Sequence, residues 1–111
     1  MTAYLDIDQG SDFTVEIDLE NDDGTPMILG GTQIYSQFRK SYSSSTAYSF
    51  VCEILDASNG KFSLSLSGTN SSNIKPGRYL YDVEVVNTTS NAKSRVVEGI
   101  VTINAEITKI P

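Results

Sequence analysis

The segment Ile74-Lys75-Pro76-Gly77-Arg78-Tyr79-Leu80-Tyr81-Asp82-Val83 holds a loop, a turn and the start of a strand in one continuous run. Its first residue, Ile74, is an apolar side chain that tucks inward. The chain then turns at Pro76-Gly77 and launches a tyrosine-rich strand. In that strand Tyr79, Tyr81, Val83 and Val85 face away from Arg78, Asp82 and Glu84. A tyrosine at the start of a strand that follows such a corner can return its hydroxyl to the corner's backbone, and either Tyr79 or Tyr81 fills that role. Ile74 then plugs the end of a two-sheet core, and Gly77 supplies the turn.

The same period of two runs along the chain in both directions. Leu5 and Ile7 alternate with Asp6 and Asp8, and Phe13, Val15, Ile17 and Leu19 alternate with Thr14, Glu16 and Asp18. Ile34, Ser36 and Phe38 alternate with Tyr35, Gln37 and Arg39; Tyr48, Phe50, Cys52 and Ile54 with Ser49, Val51 and Glu53; Phe62, Leu64 and Leu66 with Lys61, Ser63, Ser65 and Ser67. The last run, Ser94 to Ile103, is apolar on both faces, which predicts a central position in a sheet or against a neighbour. Turn chemistry separates the runs: Asp23-Gly24 as a hairpin signal, Gly30-Gly31 as a break, Asn59-Gly60 at a hairpin, and a polar connection from Asn87 to Lys93. Helical spacing is confined to a short turn around Thr69 to Ile74. The pattern predicts one domain over residues 1–111, an all-β antiparallel immunoglobulin-like β-sandwich of about seven strands.

Composition narrows the function classes. The 111 residues carry 8 Lys and Arg against 14 Asp and Glu, no His, no Trp and one Cys, for a net charge of −6. Without histidine the commonest general base and most zinc sites are absent. One cysteine leaves no internal disulfide. The acidic balance argues against nucleic acid and anionic membranes as partners. The first residues lack the basic and apolar regions of a secretory signal. The sequons at Asn70 and Asn87 are therefore expected to be silent.

Three constellations invite chemistry, and each has a plainer reading. Asp6, Asp8 and Asp12 loosely follow the oxygen spacing of a calcium loop, but Gly10 stands where an Asp or Asn would ligate. The plainer reading is a charged edge strand, which discourages edge pairing. Asp82 with Glu84, or Glu16 with Asp18, would project from one face about 7 Å apart, a spacing open to glycoside hydrolysis. Solvent-facing strand charge explains both pairs. Cys52 alternates with Phe50 and Ile54 and reads as a buried small hydrophobe. No catalytic residue, cofactor or metal site is expected. Of the six tyrosines, Tyr35, Tyr42 and Tyr48 are the interface candidates, on the polar side of a strand, in the Ser-rich loop 41–47 or directly after it.

Several stretches resemble small structural proteins of tailed-bacteriophage virions, of the cyanophage type. They are Asp8 to Phe13, Asn21 to Pro26, Gln37 to Ser44, Lys75 to Val83 and Arg95 to Ile103. A similar order of elements occurs in the immunoglobulin-like N-terminal domain of phage baseplate upper proteins. This chain departs from the family's usual Leu-Thr-Gly before the third strand, reading Leu29-Gly30-Gly31. The resemblance implies a non-enzymatic virion component assembled in the host bacterial cytoplasm, first of all a capsid accessory or decoration protein docked on the head lattice. Its partners would be the major capsid protein or tail and baseplate subunits, or further copies of itself. The alternatives are a tail, neck or baseplate adaptor and, from another class, a carbohydrate or host-surface binding module using the loop from Tyr42 to Tyr48. The terminal segments Met1 to Asp8 and Glu106 to Pro111 are candidate arms toward a neighbour.

Overall fold

A computed structural model of the chain describes residues 1–108. Two sheets face each other. The larger has the order β1-β8-β7-β3-β4, built from β1 (Leu5–Asp8), β3 (Thr32–Arg39), β4 (Tyr48–Ser49), β7 (Gly77–Asn87) and β8 (Lys93–Asn104). The smaller has the order β2-β6-β5, from β2 (Phe13–Asp18), β5 (Val51–Asp56) and β6 (Lys61–Leu66). Among the described residues, all strand pairings are antiparallel except β1 with β8, where Leu5 lies beside Val101 and Ile7 beside Ile103. The molecule is an immunoglobulin-like β-sandwich.

The core forms where the period-two faces meet. Ile7, Leu29, Phe38, Phe62, Leu64, Val83 and Val101 are fully buried between the sheets. Toward one end Phe13, Phe38, Phe50, Tyr48, Tyr79 and Tyr81 form a continuous aromatic cluster, with Phe38 and Phe50 centroids 4.9 Å apart. Each buried ring removes a large apolar area from water, which makes this cluster a substantial source of burial energy. β8 runs between β1 and β7, the central place that its two apolar faces predict.

Two local differences from the sequence reading have physical causes. The run Tyr48 to Ile54 is two strands rather than one. At Phe50 the backbone N–H donates to the Ser36 carbonyl while the ring drops into the core, so the chain leaves the larger sheet there and joins β6 from Val51 onward. Periodicity survives this crossing because the inward face stays the same, which hides the change of sheet. Second, Asp23-Gly24 closes a small hairpin of its own. Glu20 bridges Pro26, Asn21 N–H donates to the Thr25 carbonyl, and Gly24 has φ of 85°. The strands on either side, β2 and β3, lie in different sheets.

The expected helical turn is α1 (Gly68–Ser71), capped by the Ser67 hydroxyl accepting from Asn70 N–H. Met1 to Asp8 runs along β8, with Ala3 N–H donating to the Glu98 carbonyl and Glu98 N–H to the Met1 carbonyl. Of the proposed arm Glu106 to Pro111, residues 109–111 lie outside the described residues.

Candidate binding surface

The corner that opens β7 is built as its residue types require. Ile74 is buried at the sandwich end, and Gly77 adopts φ of 145°, a conformation that disfavours a side chain. The Tyr79 hydroxyl donates to the Lys75 carbonyl at 2.5 Å, so Tyr79 makes the corner. Lys40 Nζ sits 4.7 Å from the Tyr79 ring centroid and donates to the Arg78 carbonyl, covering the turn from outside. Tyr81 instead ties down the N-terminal segment, its hydroxyl donating to the Ala3 carbonyl at 2.7 Å. Burial raises both phenols, Tyr81 to about 12.

The interface candidates separate. Tyr42 is exposed in the loop after β3, and Tyr35 is exposed on the outer face of the larger sheet, its hydroxyl donating to Gln33 Oε1. Tyr48 is half-buried, with its ring 5.3 Å from Phe38 and 6.1 Å from Tyr79, and so packs against the core. Sequence reasoning passed over Tyr4, which is 72% exposed. Its signal was present: Tyr4 precedes Leu5 and falls on the outward side of the Leu5–Ile7 alternation.

The register of the larger sheet lays out its outer face in rows. Tyr4, continuing the β1 register, lies beside Ile100; Ile100 pairs with Leu80, and Leu80 with Arg39. One row along, Thr2 bridges Glu98, Glu98 pairs with Asp82, and Asp82 with Gln37. Two carboxylates directly opposite each other repel, and Arg95 resolves this by lying 3.1 Å from Asp82 and 3.4 Å from Glu98. These rows form the floor of an open groove of about 460 Å³, which Tyr4 and Tyr42 also line. A second groove of about 510 Å³ adjoins it around Tyr35, Phe50 and Cys52, where β4 leaves part of β3 uncovered.

The remaining constellations resolve locally. Asp12 Oδ1 accepts from Gly68 N–H at 2.7 Å, and Asp8 Oδ1 accepts from Asn104. Both are structural bonds that tie the 8–12 turn to α1 and β8. No group of three metal-ligating side chains occurs among the described residues. Asp82 and Glu84 share the outer face of the larger sheet, while Glu16 and Asp18 share that of the smaller one. Cys52 is half-buried, and burial pushes its thiol up to about 11.

No protein-family model matches the chain, and no curated protein does either. Among solved structures, the chain is similar to Listeria monocytogenes InlP at 16% identity and TM-score 0.49, over 92% of this chain and 26% of that one. It is also similar to a VGSC beta subunit studied for cell-adhesive interactions, at 10% identity and TM-score 0.43, over 96% and 93% of the two chains. A third is a family 123 glycoside hydrolase from Clostridium perfringens, at 14% identity and TM-score 0.43, over 99% of this chain and 24% of that one. The chain thus spans about a quarter of the first and third of these proteins.

Proposed function

We propose that this domain is a non-enzymatic assembly module that docks on a protein scaffold. In the setting that the phage-protein resemblance implies, it is a virion accessory protein of the capsid-decoration kind. The observation that carries the reading is the open edge of the smaller sheet. β5 has β6 on one side and, among the described residues, no strand on the other. Along it Val51 is 64% and Leu55 44% exposed. Ile28, 71% exposed, precedes Leu29, whose N–H donates to the Ala57 carbonyl just past the strand. Free edges are normally short, charged or covered, because their unpaired backbone groups and apolar side chains recruit other chains. An edge strand with two exposed aliphatic side chains flanking Glu53, and with Ile28 on the segment beside its end, suits strand addition or edge-on docking to a protein lattice.

Val51→Lys and Leu55→Lys place a charge on this edge while leaving the core untouched. Each variant is expected to fold normally and to be lost from purified particles of the encoding phage. Incorporation at the wild-type level by both variants would contradict docking through β5. Incorporation into tails rather than heads would select the neck or baseplate adaptor reading.

A further inference from the structure

Beyond that edge, the groove on the opposite sheet has its own chemistry, and we propose that it is a binding site for a neutral oligosaccharide. Tyr4 and Tyr42 stand on its two sides, 72% and 83% exposed, with no packing role in the core. Tyr4 directly precedes β1 and Tyr42 lies in the loop after β3, and these two strands are three strand spacings apart, about 14 Å. That separation suits a short sugar chain better than a single ring. Exposed tyrosine rings offer flat apolar faces at low entropic cost, and the C–H face of a pyranose stacks on such a surface.

Between the tyrosines the floor alternates apolar and polar rows: Ile100 and Leu80 in one, Glu98, Asp82 and Gln37 in the next. Arg95 holds one oxygen of each carboxylate, Asp82 Oδ2 and Glu98 Oε2. Their other oxygens point to no hydrogen-bond donor among the described residues. Two carboxylates with free lone pairs offer acceptors for vicinal hydroxyls; beside them Arg39 donates to Gln37 Oε1 and the Ser44 carbonyl, and Gln37 Nε2 to Ser49 Oγ, which leaves their remaining N–H groups as donors.

Other occupants fit less well. The floor strands β8 and β7 are paired on both edges, so they offer no backbone ladder to an extended peptide. Asp82, Glu84 and Glu98 outnumber Arg39 and Arg95, so the lining repels anionic ligands, nucleic acid included. The volume of about 460 Å³ lies within the ordinary range for small-ligand sites.

The test is two-dimensional amide NMR of the full chain titrated to tens of millimolar with lactose, cellobiose and diacetylchitobiose, and with sialyllactose as an anionic comparison. At least one neutral disaccharide is expected to shift the amides of Tyr4, Leu80, Asp82 and Ile100 in a saturable way. Tyr42→Ala and Asp82→Asn are each expected to weaken that binding tenfold or more. Glu16→Gln, on the outer face of the smaller sheet, is expected to leave it unchanged. An unchanged amide spectrum elsewhere verifies that each variant is folded. The proposal is overturned if all three neutral sugars leave those amides unmoved, if Tyr42→Ala binds as the parent does, or if sialyllactose binds more tightly than its neutral counterpart. None of these outcomes bears on docking through β5.

Discussion

The Tyr81 hydroxyl donates to the Ala3 carbonyl at 2.7 Å, reaching it beside Gly99, the residue paired with Tyr81 across the β7–β8 ladder. A Cβ on Gly99 would collide with the Ala3 carbonyl oxygen, so the N-terminal segment can approach β8 only because position 99 has no side chain. Glycine here serves the close approach of two backbones.

Gly99→Ala is therefore expected to push the N-terminal segment off β8, at a cost of about 1 to 3 kcal/mol for the overpacking. Hydrogen exchange checks it: the amides of Ala3 and Glu98, which bond across this junction, should lose protection while Phe38 keeps its own.

Tyr79→Phe removes the bond to Lys75 and leaves the ring in place between Phe38 and Tyr48. The loss is expected to be about 1 kcal/mol, with the Lys75 carbonyl left to water. Tyr81→Phe is expected to cost a similar amount and, unlike Tyr79→Phe, to speed exchange at Ala3. Unchanged denaturation midpoints in both variants would contradict these roles.

Alkaline pH should destabilise the fold through Tyr81. Burial raises its phenol from 10.0 to about 12, so the folded state holds its proton where the unfolded chain releases it. The stabilisation is complete below pH 10 and is lost progressively as pH rises from 10 towards 12. Midpoints measured across that range should fall for the parent and fall less for Tyr81→Phe.

Cys52 gives an independent probe of burial. With its thiol pushed up to about 11, almost none is thiolate at a mildly alkaline pH of about 8, and iodoacetamide should modify the native protein far more slowly than the unfolded chain. Modification at equal rates would place Cys52 in solvent.

Much of the fold was legible because one rule, the period of two, governs nearly every strand. Tyr79, Ile74 and Gly77 were readable as a corner because their order along the chain is the motif itself. The crossing of the chain at Phe50 was not readable, since an inward residue looks the same in either sheet. Gly99 was equally silent: a glycine opposite Tyr81 shows its purpose only when the Ala3 carbonyl is placed against it. The surfaces were half legible. Tyr42 reads as exposed from its Ser-rich loop, but its shared groove with Tyr4 depends on β1 lying beside β8, a pairing of residues far apart in sequence. Tyr48 alternates correctly yet packs on Phe38, because a two-residue β4 leaves its ring over the end of the core.

The most direct measurement is the copy number of this protein per virion, by quantitative mass spectrometry on purified particles of the tailed phage that the proposed function implies as its source. A count in fixed proportion to the major capsid protein is the result expected of a decoration protein docked through β5. Absence of the protein from the particle would contradict the account.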